Sequence, residues 1–316
     1  MTAVTTGILQ SIGNTALVEL RHLVPPGAAQ IFAKLEWQNP TGSMKDRMAL
    51  GVITKAEQDG RLRPGGTVIE YTGGSTGASL ALVCAAKGYN IHVVSSRAFS
   101  QEKLDQMAAF GATLTLVPSE GGRTTRKLIL DMVEAARRLA EVPGTFWSNQ
   151  LHNTAAVAGY EPLAEEIWNQ TGGSVDAFVH SVGTAASLRG VATALKRRNP
   201  KVRTVAVEPS ESAVLAGGRP GPHRIEGVGI GYTPPLWDPT VVDEIEGVGT
   251  EDAMEMARRL AREEALFAGT SSGANVVAAL RIGERLGPEA RVVTLMADSG
   301  LKYIHTDVYR AADRRP

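Results

Sequence analysis

Short apolar runs rich in β-branched residues alternate along this chain with longer stretches of helical periodicity. The runs predict strands at Thr67–Tyr71, Ile91–Ser95, Thr113–Val117, Asp176–His180, Arg203–Glu208 and Arg291–Met296. Continuous apolar strands separated by helices are typical of parallel sheets that helices cover on both faces. The sequence therefore predicts an α/β fold. Its 316 residues suffice for two such domains, or for one domain with an added lobe.

Charge and composition exclude several classes of protein. Lys plus Arg and Asp plus Glu both number 33, so the basic surface of a nucleic-acid-binding protein is not expected. The single cysteine, Cys84, excludes an intrachain disulfide and lies in an apolar run that predicts a buried thiol. The six histidines lack metal-ligand spacing, which predicts structural or solvated roles and no metal site. Residues 1–7 lack a basic segment followed by an apolar stretch, and no apolar run is long enough to span a membrane. We therefore expect a cytoplasmic protein without membrane partners.

Two loops after predicted strands consist mainly of small and hydroxyl-bearing residues. Residues 72–77 follow the first strand, residues 181–187 follow the fourth, and each loop runs into a helical pattern. Ligands of parallel sheets bind at the carboxyl ends of strands, and helix N-termini attract anions through their N–H groups and dipole. Both loops are therefore candidate anion sites. Tight turns and helix caps also favour Gly and Ser, so a purely structural role stays open.

A lysine lies in a third loop, residues 39–47, which precedes a helix predicted over Met48–Gln58. Near a helix N-terminus the dipole disfavours a positive charge on Lys45 and so favours the neutral amine. The neutral amine is the form that makes a Schiff base or acts as a general base. A solvated lysine paired with Asp46 is the alternative that the spacing leaves open.

Taken in order, these segments resemble the cysteine synthase and cystathionine β-synthase family of pyridoxal-phosphate enzymes, of fold type II. The most specific part is Asn39-Pro40-Thr41-Gly42-Ser43-Met44-Lys45-Asp46-Arg47, which is similar to the cofactor-lysine motif of the family. Residues 12–20, 218–231, 268–274 and 298–303 also fit, so the resemblance covers essentially the whole chain. It implies two doubly wound α/β domains as in the tryptophan synthase β subunit, and a homodimer. Residues 1–39 and 147–316 would form the large cofactor-binding domain, and residues 40–146 the smaller, mobile substrate-binding domain.

The resemblance also implies roles for individual residues. Lys45 would be the catalytic residue and form the Schiff base with pyridoxal 5′-phosphate, while Ser271 would contact the pyridine nitrogen. The other cofactor-binding residues would be Ser75, Gly183, Thr184, Ala185, Ala186 and Ser187. The substrate-binding residues would be Thr72, Gly73, Thr76, Gln150 and Gly227.

The activity implied by the resemblance is β-replacement on an O-activated serine, either O-acetylserine or O-phosphoserine. Lys45 would remove the Cα proton, the Cβ substituent would leave, and sulfide or another thiol-type nucleophile would add to give cysteine or a related amino acid. One alternative on the same scaffold is a β-eliminating lyase of the cysteine desulfhydrase or serine dehydratase type, and another is a non-catalytic regulatory homologue. A nicotinamide-dependent oxidoreductase would need a G-x-G-x-x-G loop after its first strand, which this sequence lacks.

The sequence departs from the family pattern at two loops. Gly73 and Ser75 stand where the family loop T-S-G-N-T-G has serine and asparagine. We expect the smaller side chains to leave a gap beside the cofactor that water or a substrate bulkier than O-acetylserine fills. Ala185 and Ala186 replace two glycines of the family loop G-T-G-G-T, and either alanine would be strained at a position that needs a positive φ.

Overall fold

The computed structural model describes residues 7–122 and 125–310, which divide into two units. Unit 1 comprises residues 7–12 and Asn39–Gly159, and unit 2 comprises Gly13–Gln38 and residues 160–310. The strands are β1 Leu17–Leu20, β2 Gln30–Leu35, β3 Thr67–Tyr71, β4 Asn90–Ser95, β5 Thr113–Leu116, β6 Thr145–Trp147, β7 Ala177–Ser181, β8 Arg203–Pro209, β9 Glu244–Val248 and β10 Arg291–Met296. The α-helices are α1 Lys45–Gln58, α2 Ser75–Lys87, α3 Gln101–Ala109, α4 Arg126–Ala140, α5 Ala155–Ala158, α6 Glu161–Gln170, α7 Ala186–Arg198, α8 Thr250–Glu263 and α9 Thr270–Leu286. Residues 1–6, part of the segment from which a cytoplasmic location is predicted, lie outside the described residues.

Unit 1 contains a parallel four-stranded sheet with the order β5-β4-β3-β6. Helix α4 places Leu128, Met132 and Ala136 on one face, because these residues are one helical turn apart, and all three are buried. They belong to the same apolar cluster as Ile69 of β3 and Val94 of β4. This packing fixes the carboxyl ends of β3 and β4, where two of the loops discussed below begin.

Unit 2 contains a six-stranded sheet with the order β1-β2-β10-β7-β8-β9, in which only β1 is antiparallel to its neighbour. Helix α9 is buried along most of its length and shares an apolar cluster with β7, β8 and β10. It also packs closely on α8, since a Cβ at Gly273 would lie 2.0 Å from the carbonyl oxygen of Ala253. Only glycine allows this approach of the two helices.

The predicted α/β fold class is confirmed, and all six predicted strands are present. Strands β3 and β10 begin and end at the predicted residues. Cys84 is buried in α2, as predicted, and its burial raises the thiol pKa to about 12. Within the described ranges, no helix combines the length and the apolar character needed to cross a membrane.

The boundaries of the two units differ from those of the predicted domains. Unit 1 extends beyond residue 146 to Gly159, because Trp147 of β6 pairs with Ile69 of β3 and α5 packs on α1. A Cβ at Gly51 of α1 would lie 2.7 Å from the Cα of Gly159, which shows how close that packing is. The assigned roles of the two domains, and the mobility of the smaller one, remain predictions.

Candidate active site

Lys45 is the first residue of α1, so the helix begins at the lysine itself rather than at Met48. The loop before it is fixed from both sides. The N–H of Gly42, at a φ of +73°, donates to the carbonyl of Asn39 over 2.8 Å. The carboxylate of Asp46 accepts hydrogen bonds from the backbone N–H of Thr41 at 2.8 Å and from its hydroxyl at 2.6 Å. The Asn39–Gly42 turn and the first turn of α1 therefore hold the half-buried Lys45 in a defined position.

The predicted substrate loop of unit 1 continues β3 by one ladder bond, from the N–H of Thr72 to the carbonyl of Val94 at 3.0 Å. The Thr72 hydroxyl oxygen then accepts from the N–H of Gly74 at 3.1 Å, and α2 begins at Ser75. Thr72 and Thr76 are buried, whereas Gly73 and Ser75 are partly exposed. The loop therefore presents the start of a 13-residue helix, a site that favours an anion.

Gln150 lies beside this loop, as the predicted substrate site requires. The Thr76 hydroxyl donates to Oε1 of Gln150 at 2.7 Å. Among the described residues, Nε2 of Gln150 has no hydrogen-bond acceptor, so both of its hydrogens can serve a bound carboxylate. The structure thus brings two of the predicted substrate-binding residues into direct contact.

A buried carboxylate joins the loop after β3 to the loop after β6. Glu70 accepts hydrogen bonds from the Ser148 hydroxyl at 2.6 Å and from the backbone N–H groups of Tyr71 at 2.9 Å and Gln150 at 3.0 Å. Burial raises its pKa to about 7, against the opposing effect of these donors. Glu70 is not among the site residues that the sequence predicts. The available signal was a charged residue inside the otherwise apolar run Thr67–Tyr71.

The expected room beside Gly73 is absent. A Cβ at Gly73 would lie 2.2 Å from Cδ1 of Phe99, which belongs to the loop after β4. The phenyl ring therefore occupies the space that a side chain at position 73 would need. The expectation that Gly73 enlarges a gap for a bulkier substrate is wrong on this side of the loop.

In unit 2 the structure brings the predicted phosphate loop and Gly227 together. A Cβ at Gly183 would lie 2.3 Å from the carbonyl oxygen of Gly227, which itself has a φ of +82°. The N–H of Gly229 donates to the carbonyl of Val182 over 3.0 Å. The segment containing Gly227 therefore follows the loop closely, and position 183 has no space for a side chain.

Of the two alanines in this loop, only Ala185 has the expected strained conformation. Ala185 has a φ of +69° and caps the N-terminus of α7, whereas Ala186 is the first helical residue. Gly183 and Thr184 are partly exposed, and Ser187 is 8% exposed at the second position of α7. The five predicted phosphate-loop residues thus surround the start of a 13-residue helix.

Ser271 lies in the first turn of α9, between two residues that anchor this turn. The Thr270 hydroxyl oxygen accepts from the N–H of Glu226 at 3.1 Å, and the Ser272 hydroxyl oxygen accepts from the N–H of Ala297 at 3.0 Å. One turn later, Oδ1 of Asn275 accepts from the N–H of Ser181 at 2.7 Å. The start of α9 is therefore bonded to the segment of Gly227, to the end of β10 and to the phosphate loop.

The donors of unit 2 fit a phosphate group. The loop combines a helix N-terminus, short side chains at positions 183, 185 and 186, and the hydroxyls of Thr184 and Ser187. The buried hydroxyl of Ser181 has no hydrogen-bond partner among residues 7–122 and 125–310, whereas buried hydroxyls normally have one, so it can bond to a group that this site binds. In unit 1, the amine of Lys45 is the group that an aldehyde cofactor needs. The same described ranges contain no cluster of three or more His, Cys, Asp or Glu side chains that could hold a metal ion.

Comparisons with known proteins give the family. The family described as "Pyridoxal-phosphate dependent enzyme" matches residues 8–298. A cysteine synthase of Staphylococcus aureus is 41% identical over 308 residues, 97% of each chain. The crystal structure of a cysteine synthase from Entamoeba histolytica has a TM-score of 0.91 and 36% identity, and the match covers 99% of this chain and 93% of that one.

A second solved structure, an O-ureido-L-serine synthase, also has a TM-score of 0.91 and 36% identity, over 99% of this chain and 98% of the other. At these identities the likeness extends beyond the fold, and the predicted fold type II architecture is confirmed. The match also runs through the lysine loop, the phosphate loop and the start of α9. This chain therefore belongs to the cysteine synthase and cystathionine β-synthase family, as a pyridoxal-phosphate-dependent enzyme of the cysteine synthase type.

Proposed function

We propose that this enzyme catalyses β-replacement on O-acetylserine with sulfide, which yields cysteine and releases acetate. The observation that carries the proposal is Lys45 as the first residue of α1, inside the lysine motif of a chain that is 41% identical to a cysteine synthase. O-phosphoserine is the second activated serine to be tested, because it differs only in its leaving group.

Pyridoxal phosphate, when bound, supplies an electron sink for the negative charge that develops at Cα of an amino acid. Lys45 would hold it as a Schiff base, and after displacement by the substrate amine its own amine would take the Cα proton. Gly183, Thr184, Ala185, Ala186 and Ser187 would bind the phosphate through N–H and hydroxyl donors. Ser271 would donate a neutral hydrogen bond to the pyridine nitrogen. Because a hydroxyl carries no negative charge, Ser271 would not stabilise a protonated ring nitrogen, and this would favour prompt loss of the β substituent.

The substrate carboxylate would bind in unit 1, to Thr72, Gly73, Thr76 and Gln150. The hydrogens on Nε2 of Gln150 and the start of α2 support this assignment. By the family resemblance Ser75 would face the 3′-oxygen of the cofactor, and we assign a bridging water to that position because serine is shorter than the asparagine of the family loop. By the family resemblance, Gly227 would contact the substrate, and its segment would exclude water from the reaction.

The test is product analysis with purified protein, pyridoxal phosphate, O-acetylserine and sulfide. Cysteine formation is expected in the wild type and is lost in Lys45→Ala. Lys55→Ala is the matched control, because Lys55 lies on the same helix in an exposed ion pair with Asp59. Borohydride reduction followed by digestion should leave the pyridoxyl group on Lys45. Release of pyruvate and ammonia without cysteine would identify a β-eliminating lyase instead.

Two further properties are proposed on the strength of the family resemblance, namely a homodimer and a cytoplasmic location. Sedimentation equilibrium tests the first and cell fractionation the second. A monomer at assay concentration, or recovery of the protein outside the cytoplasmic fraction, would contradict them.

A further inference from the structure

His180, Ser187 and Asn275 form a buried chain of hydrogen bonds below the phosphate loop of unit 2. His180 lies on β7 and is 2% exposed. Its Nε2 is 2.9 Å from the hydroxyl oxygen of Ser187, and its Nδ1 is 3.3 Å from Nδ2 of Asn275. Either ring nitrogen could carry the proton, so the direction of these bonds has to be derived from their surroundings.

The surroundings of Asn275 fix the orientation of its amide. Its Oδ1 accepts from the N–H of Ser181 at 2.7 Å, and its Nδ2 donates to the carbonyl of Leu295 at 2.7 Å. The reversed amide would place oxygen against a carbonyl oxygen and nitrogen against an N–H group, and would lose both bonds. The atom of Asn275 that faces His180 is therefore Nδ2, which can only donate.

The orientation of Asn275 determines the tautomer of His180. Because Nδ1 accepts a hydrogen bond from Asn275, it carries no proton, and the proton of the neutral ring lies on Nε2. Nε2 then donates to the hydroxyl oxygen of Ser187. The hydrogen of the Ser187 hydroxyl is consequently not used by His180 and can be donated to another acceptor.

We propose that His180 is a positioning residue that directs the Ser187 hydroxyl hydrogen toward the phosphate of bound pyridoxal phosphate. This inference rests on the proposed function, which assigns residues 183–187 to the phosphate. In the opposite tautomer Ser187 would donate to His180 and present only lone pairs to the anion, which repels them. The bond from His180 therefore makes the Ser187 hydroxyl a hydrogen-bond donor toward the phosphate. This hydroxyl lies at the start of α7, where the helix dipole already favours a negative charge.

The first test compares the affinities of the cofactor-free full chain for pyridoxal phosphate and for pyridoxal, which lacks the phosphate. The ratio of the two dissociation constants isolates the phosphate contacts. His180→Leu should weaken binding of pyridoxal phosphate about 10-fold, the typical effect of losing a hydrogen bond to a charged group, and leave pyridoxal unchanged. His180→Gln should restore most of the ratio, because its amide can accept from Asn275 and donate to Ser187. Ser187→Ala should match His180→Leu, and the double variant should show no further loss.

His92 supplies the matched control. It also places Nε2 against a hydroxyl, at 2.7 Å from Oγ1 of Thr115, but it lies on β4 of unit 1. His92→Leu should therefore leave the ratio unchanged. A wild type that binds pyridoxal as tightly as pyridoxal phosphate would contradict the proposed phosphate loop. A wild type that prefers the phosphate, with an unchanged ratio in His180→Leu, would overturn the role of His180 alone.

The second test needs no ligand affinity. Long-range proton–nitrogen correlation spectra of the protein labelled with ¹⁵N-histidine report which ring nitrogen of His180 is protonated, with His180→Gln used to assign the signal. We expect the Nε2–H tautomer. An Nδ1–H tautomer, or a doubly protonated ring, contradicts the proposed direction of the hydrogen bonds.

Discussion

The phenyl ring of Phe99 lies against Gly73, so that a Cβ on Gly73 would be 2.2 Å from Cδ1 of the ring and 2.3 Å from Cγ. Gly73 is followed by α2, and Phe99 lies in the loop between β4 and α3. The missing side chain on one loop is thus matched by an aromatic side chain on the other. Glycine in place of the family serine at position 73 is therefore complementary to the aromatic side chain of Phe99.

We expect Gly73→Ser to destabilise the protein by about 1–3 kcal/mol, the usual cost of overpacking a filled space. Phe99→Ala alone removes contacts, but together with Gly73→Ser it provides room for the serine. Urea unfolding of the two single variants and the double variant should therefore show a favourable coupling of about 0.5–3 kcal/mol. Strictly additive effects would mean that the ring moves aside without cost.

Ala185 has a left-handed conformation, which costs an L-residue about 1–2 kcal/mol. Glycine avoids this cost, but it loses more conformational entropy on folding, which offsets part of the gain. Ala185→Gly should therefore stabilise the protein by about 0.5–1 kcal/mol. Ala186→Gly is the control, since Ala186 is helical and glycine there should cost about 0.5–1 kcal/mol. Equal losses in both variants, measured by denaturant unfolding, would show that Ala185 carries no strain.

Glu70 should make stability depend on pH. Its pKa is about 7 in the folded protein against an ordinary value of 4.5, so the folded state binds more protons between these two values. Its stabilising contribution to the free energy of unfolding is fully present below about pH 4.5 and is lost as the pH rises through 7. The total loss is on the order of 3 kcal/mol. The difference in unfolding free energy between wild type and Glu70→Gln should fall over this range. A difference that stays constant with pH would mean that Glu70 titrates normally.

Ser271→Ala should weaken cofactor retention by less than about 10-fold, because only a neutral hydrogen bond is lost. Ser271→Asp should favour a protonated pyridine ring and slow β-replacement. Ser272→Ala is the control, since the Ser272 hydroxyl accepts from the N–H of Ala297. It should lower stability and leave the visible spectrum of the bound cofactor unchanged. The proposal for Ser271 fails if Ser272→Ala alters the spectrum and Ser271→Asp does not.

Strands with apolar side chains on both faces could be predicted from the sequence, and β3 and β10 are examples. Strand β2 was missed because it contains Lys34, which is completely buried and donates to Glu166 at 2.7 Å and to the carbonyl of Thr15 at 2.6 Å. A buried ammonium group needs partners that lie far away in the sequence, so local hydropathy describes such a strand as polar. Strand β9 was missed for a related reason, since Glu244 and Glu246 interrupt its apolar pattern.

The loops of the candidate site could be found from their composition, because helix starts need small and hydroxyl-bearing residues. The residues that bond to these loops could not be found in the same way. Glu70 and Gln150 are 80 residues apart, and their contact depends on the parallel pairing of β3 with β6. For His180 the sequence predicts only a structural or solvated role, and nothing in it indicates that Asn275 faces the imidazole ring.

Cys84 has a consequence for work with this protein in solution. The proposed reaction would bring this enzyme into contact with sulfide and cysteine, and so with thiol–disulfide exchange, in which thiolates are the reacting species. The single cysteine of the chain is buried and has a pKa of about 12, so it is protonated at neutral pH and out of reach. A cysteine introduced at an exposed position would therefore be the one thiol that reacts with a maleimide dye. Fluorescent labels can be placed on this enzyme without first removing a native thiol.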